Sequence, residues 1–210
     1  MLACRCRASS LARGPAWSGL PKCANNADAA RHDRRNGGRK PCTLMREIST
    51  HVDIDADASL VWHILTDFAR YQRWNPLLRN VQGAARRGDT IVITEKRTHN
   101  GKLARSSRAA IVRRTVKHVR EPHELYWRGG WAADSIYATE RRFRIEALNA
   151  GRVRFHHCER FGGLAVPFLW LSLRRERIPA FQAMNHALKA RAERAEADIA
   201  ARTRSGRTSG

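Results

Sequence analysis

The sequence predicts an α+β fold in which a curved antiparallel sheet of seven strands wraps around one long C-terminal helix. Three observations carry that prediction. Apolar residues alternate with polar ones in short runs from Met45 to Phe161. Turn residues interrupt the runs at close intervals. Beyond Gly162-Gly163 the apolar period becomes helical.

The first strand is Ile48, Thr50, Val52 and Ile54 alternating with Glu47, Ser49, His51 and Asp53. Asp57 then stands where an N-cap is wanted, before Leu60-Val61-Trp62 and Ile64-Leu65, a short helix. Asp67-Phe68 and Tyr71 to Trp74 suggest a second short helix, stopped by Pro76, with Asn75 supplying turn chemistry.

Six strands follow: Leu77 to Val81, Thr90 to Lys96, Ala109 to Val119, Glu124 to Gly129, Ile136 to Leu148 and Arg152 to Phe161. Turn signals at Gly88-Asp89, Asn100-Gly101, Glu121-Pro122, Gly129-Gly130 and Asn149-Ala150-Gly151 separate most of them. Such a succession reads as a meandering antiparallel sheet. Trp170, Leu173, Arg177, Phe181, Met184, Leu188 and Ala195 then form one helical stripe. The helix is expected over Ser172 to Ala200, roughly 43 Å long, kinked or started by Pro179. A sheet buried on one face must curl around something, and only this helix is long enough to fill it.

The 210 residues carry 40 Lys and Arg against 19 Asp and Glu, a net charge of +21. Residues 1–44 hold 9 basic and 2 acidic side chains, and residues 201–210 hold 3 basic and none acidic. The expected domain, 45–200, therefore keeps +11. Residues 1–44 show no period and read as a disordered basic tail, with Met45 as the expected true start, and 201–210 as a second tail. A peptide from within 1–44 in the native protein would overturn that start.

Four of the five cysteines, Cys4, Cys6, Cys23 and Cys42, lie in the first 44 residues at spacings that suit no zinc site. No disulfide framework, cofactor or metal is implied for the domain, and a cytoplasmic setting is expected. The longest apolar stretch, Leu164 to Leu173, is too short to span a bilayer. No phosphate-cradling glycine loop and no nucleophile elbow is present.

On the last strand Val153, Phe155, His157, Glu159 and Phe161 share one face, and Arg152, Arg154, His156, Cys158 and Arg160 share the other. The aromatic face is the inner one, so His157 and Glu159 point inward and the basic face reads as solvent. A buried carboxylate needs a partner or a proton. Glu159 therefore pairs with a buried base such as His157, stays protonated, or reaches an opening where water or a backbone amide meets it.

In this order the chain resembles the StAR-related lipid-transfer, polyketide cyclase–dehydrase and pollen-allergen (SRPBCC) superfamily. The likeness is nearest to its bacterial stand-alone polyketide cyclase/dehydrase-like members. It rests on Ile54-Asp55-Ala56 leading to Leu60-Val61-Trp62, Asp67-Phe68-Ala69-Arg70-Tyr71, Trp74-Asn75-Pro76 and Glu124-Leu125-Tyr126-Trp127-Arg128-Gly129. Glu159-Arg160-Phe161-Gly162-Gly163 with Pro167, and Met184-Asn185 with Ala187-Leu188-Lys189, complete it. The resemblance covers about Arg46 to Glu196 and implies a helix-grip fold with a ligand cavity between sheet and helix. Its members bind lipids, sterols, polyketides and plant metabolites, and some catalyse cyclisation or dehydration.

With that cavity in view, Trp74, Trp127, Phe143, Phe155, Phe161, Phe181 and Met184 are candidates for its wall, or for plain core. His157 and Glu159 are its polar residues, orienting a ligand group or acting as an acid–base pair. Three functions compete: binding or carriage of a small hydrophobic ligand, a cyclase or dehydratase using His157 and Glu159, and attachment to nucleic acid or anionic membrane. The last would use Arg113, Arg141, Arg152, Arg154 and Arg160, but these lack the aromatic platform of single-strand binders.

Overall fold

The computed structural model describes residues 45–95, 98–99, 102–103, 110–131 and 136–207. The expected N-terminal tail, the Asn100-Gly101 turn and residues 208–210 lie outside them. The element order is β1 (Arg46–Ile54), α1 (Ala58–Thr66), a 3-10 turn (Phe68–Arg70), α2 (Tyr71–Trp74), β2 (Leu78–Gln82) and β3 (Thr90–Glu95). Then come β4 (Thr98–His99), β5 (Lys102–Leu103), β6 (Ala110–Arg120), β7 (Glu124–Trp131), β8 (Tyr137–Asn149), β9 (Arg152–Gly162) and α3 (Val166–Arg207).

Seven strands form one curled antiparallel sheet in the order β1-β9-β8-β7-β6-β3-β2, and β4 and β5 pair separately. The strand expected first thus pairs with the one expected last, Ile48 opposite Glu159 and Ile54 opposite Val153. That closure sets the helix-grip arrangement: α3 returns along the sheet and packs on β1 and β9.

The core is the concave face. Ile91 and Ile93 of β3, Val116 of β6, Leu125 and Trp127 of β7, Phe143 and Ile145 of β8, and Val153, Phe155 and Phe161 of β9 are buried. Ala180, Phe181, Met184, Leu188 and Ala192 of α3 meet them. The period of two on the strands and the three-and-four spacing on the helix bring these side chains to one place. Below α1, Tyr71 donates its hydroxyl to the Leu65 carbonyl. Asn75 accepts from the Leu77 and Leu78 amides at 3.0 and 2.9 Å, fixing the turn into β2. Asp57 occupies the N-cap of α1 without a capping side-chain bond.

Three expectations are corrected. Gly129-Gly130 is not a turn: β7 runs through it, with Gly129 opposite Thr139 and Gly130 opposite Ala138. Glycine is there because the Arg114 side chain crosses the strand, and a Cβ on Gly129 would lie 2.3 Å from Arg114 Cδ. The helix begins six residues before Ser172 and runs without interruption through Pro179 to Arg207. Residues 201–207, expected as a tail, continue the helix. There Thr203 and Ser205 return their hydroxyls to Ile199 O and Ala201 O.

The third correction concerns the outer face of β9. Cys158 is buried there, 3.1 Å from Ser49 Oγ. Its basic neighbours are matched by acids on β1: Arg154 grips Asp53 through two bonds of 2.7 and 3.0 Å, and Arg160 meets Glu47 at 2.9 Å. Arg152 lies 3.2 Å from Asp55. The register that closes the sheet sets Asp53 opposite Arg154 and Glu47 opposite Arg160.

Candidate functional site

The sheet alternation sends Glu95 from β3, Arg141 from β8, and His157 and Glu159 from β9 to the concave side. Three turns of α3 face them with Arg177, Phe181, Met184 and Asn185. All four strand residues are buried, Arg141, His157 and Glu159 to within 1%.

Arg141 is the hub. Its Nη2 donates to Glu159 Oε2 at 3.0 Å and lies 3.1 Å from Glu95 Oε1. Arg177 Nη1 binds the other oxygen of Glu95 at 3.2 Å. The partner of Glu159 is therefore Arg141 rather than His157. Arg141 itself, expected on the solvent face, is core, because it shares the parity of Phe143 and Ile145 on β8. Burial alone would raise the Glu95 carboxyl, but Arg177, Arg141 and Arg114 outweigh it and hold it down at about 2. For Arg177 burial lowers the pKa, and Glu95 and Glu159 more than reverse this, so it stays charged.

His157 is bound differently. Its Nδ1 lies 3.2 Å from Asn185 Oδ1, while Asn185 Nδ2 donates to Thr50 Oγ1 at 3.0 Å. With the amide turned that way, the imidazole proton sits on Nδ1 and Nε2 keeps a bare lone pair. Burial, and then the charge of Arg141, press the His157 pKa well below the ordinary value, so the ring is neutral. It stacks on Phe181 with centroids 4.0 Å apart, and the Arg141 guanidinium carbon lies 5.3 Å from the centroid of that ring.

Three buried polar atoms in this cluster have neither a hydrogen-bond partner nor an ion-pair contact: Arg141 Nε and Nη1, and His157 Nε2. Native interiors leave few such atoms, and each costs about 1–3 kcal/mol. A molecule carrying both a carbonyl-type acceptor and a hydroxyl donor has the chemistry these atoms lack.

The candidate wall residues divide. Trp127, Phe143, Phe155, Phe161, Phe181 and Met184 are all buried in the same core as His157 and Glu159. Phe143 links them, 5.0 Å from Trp127, 5.8 Å from Phe155 and 4.7 Å from His157 between centroids. Trp74 packs half-buried at the edge of that core and lines a cleft of about 420 Å³ between α1, α2 and α3 with Leu60, Arg73, Arg191 and Arg194. Sequence reading missed Glu95, Arg141 and Asn185 as site residues, and took Arg177 only as part of the helix stripe. Their signal was parity: Glu95 follows Ile91 and Ile93 at two-residue steps, and Asn185 adjoins Met184. Among the described residues no group of three or more His, Cys, Asp or Glu side chains is placed to hold a metal.

Residues 45–193 match the family model described as polyketide cyclase/dehydrase and lipid transport. The chain belongs to that family. Its fold is that of a START superfamily protein from Mycobacterium smegmatis, at 19% identity and TM-score 0.54, covering 70% of this chain and 97% of that one. It is also similar to the Zhui aromatase/cyclase from Streptomyces sp. R1128, at 19% identity and TM-score 0.52, covering 71% and 94%. A norcoclaurine synthase from Thalictrum flavum superposes with TM-score 0.54 at 10% identity, covering 72% and 96%. None of the curated proteins matches the chain.

Proposed function

We propose that this chain binds a small hydrophobic molecule between the sheet and α3, with a carbonyl and a hydroxyl of that molecule at Arg141 and His157. The observation that supports it is the set of unpartnered polar atoms inside an aromatic interior. Arg141 Nε and Nη1 are donors without acceptors, and His157 Nε2 is an acceptor without a donor. Trp127, Phe143, Phe155, Phe161, Phe181 and Met184 supply the apolar surroundings, and Glu159 holds Arg141 in place. A lipid-like or polyketide-like molecule has this mixture of apolar body and few oxygens. Binding requires side chains such as Phe181 and Met184 to give way, since they are packed on their neighbours.

Native mass spectrometry of freshly purified protein tests it, with an oxygen-bearing hydrophobic molecule as the expected passenger. Arg141→Met and His157→Phe should each weaken a displaceable ligand by about tenfold or more. Absence of any passenger together with no uptake of added ligand would overturn the reading.

The second reading is an enzyme of the cyclase or dehydratase type. The bare Nε2 of a neutral His157 favours it, being able to take a proton from a carbon next to a carbonyl that Arg141 polarises. With a substrate in hand, turnover left intact in the double variant H157A/E159A would remove this reading and leave the first standing.

A further inference from the structure

The first turns of α3 are apolar on every side. Val166, Trp170 and Leu173 turn toward the core, with Val166 fully buried. Phe168 and Leu171 lie on the opposite side, 90% and 61% exposed. Leu169 is also exposed, as is Leu164, at 77%, just before the helix. Ile136 joins them: its carbonyl accepts the Ala165 amide at 3.1 Å, and its side chain is exposed. Among the described residues, five of the nine exposed large apolar side chains therefore lie in this one patch.

A helix that is apolar all round is ordinarily covered all round. Here the seven-stranded sheet covers one side, β4 and β5 also touch α3, and Phe168 and Leu171 still stay exposed. A contiguous exposed apolar surface of this kind marks an interaction site. The local backbone also supports it: Gly163, at φ +111°, passes so close to Ile136 O that a Cβ would lie 2.3 Å away, and this turn sets Leu164 beside Ile136.

Charge identifies the occupant. The apolar turns are followed at once by exposed Arg174 and Arg175, with Arg175 four residues after Leu171 on the outward side. No acidic side chain lies in the first turn of α3. Residues 45–200 as a whole carry +11. An apolar ridge bordered by guanidinium groups matches an anionic bilayer surface, with rings and methyls below the headgroups and arginines among the phosphates.

We propose that Ile136, Leu164, Phe168 and Leu171, with Arg174 and Arg175, form a docking surface for anionic membrane. It lies on the side of α3 away from the interior cluster, so the inference stands whether or not that interior takes a ligand. No helix of the described residues is long and apolar enough to cross a membrane.

The test is co-sedimentation of the full chain with vesicles of mixed phosphatidylglycerol and phosphatidylcholine, and with pure phosphatidylcholine. The variant F168S/L171S keeps every charge and removes only exposed side chains, so its thermal midpoint serves as the folding control. The expected result is binding to the anionic vesicles that falls roughly tenfold or more in the variant. A second variant, R174Q/R175Q, should bind less and lose much of its preference for anionic lipid. Equal binding by F168S/L171S and the parent would overturn the proposal, since general charge attraction would then account for the contact. So would a parent that ignores vesicles but forms a dimer which F168S/L171S dissociates, for the ridge would then join two copies of this chain.

Discussion

Arg141 is the residue on which the interior depends. It is the shared cation of two buried carboxylates, Glu95 and Glu159, and neither would find water if it were removed. Arg141→Met should therefore destabilise the fold by about 3–5 kcal/mol, read from urea unfolding at neutral pH. His157 makes a different prediction. Burial and Arg141 lower its folded pKa, so the unfolded chain takes up a proton near 6.5 that the folded chain refuses. Stability must then fall as pH drops below about 6.5. His156, lowered mainly by its own burial, adds to the same trend. His157→Phe should flatten the fall in urea midpoints between about pH 7 and pH 5, leaving the smaller slope of His156. At this scale the inward direction of His157 and Glu159 was legible, because Val153, Phe155 and Phe161 share their parity. The partner of Glu159 was not, because Arg141 is 18 residues away on β8.

Among the elements, the glycines show what a turn requires. Gly151 has φ +75° at the β8–β9 turn, and nothing lies within 4 Å of where its Cβ would be. Gly163 has φ +111° and the Ile136 backbone against it. Gly151→Ala should cost about 1 kcal/mol, the left-handed penalty alone. Gly163→Ala must also push the backbone aside and should cost roughly twice that or more, both read as shifts in urea midpoint. The strand and helix periods were legible to within a few residues. Gly129-Gly130 was misread because a glycine pair signals a turn locally, whereas here it serves a side chain arriving from the neighbouring strand. The end of α3 was missed because residues 201–207 lack an apolar stripe.

For the molecule as a whole, a ligand that binds only the folded form must stabilise it. At about a hundred times its Kd the gain is roughly 2.7 kcal/mol, visible as a raised urea midpoint absent from His157→Phe if that variant no longer binds. The net charge of +21 shrinks in importance at this scale, because Arg154 and Arg160 of β9 are matched by Asp53 and Glu47 of β1, and Arg152 by Asp55 just beyond that strand. By itself the sequence determined the α+β class, the order of the main elements, the helix that fills the sheet and the inward face of β9. Those follow from periodicities of two and 3.6, which are local. Only the tertiary structure decided that β1 closes against β9, that Arg141 is buried between two carboxylates, and that Asn185 orients His157. It also decided that the apolar start of α3 leaves one side open. Those depend on which distant residues share a few ångströms of space, and no spacing along the chain encodes that directly.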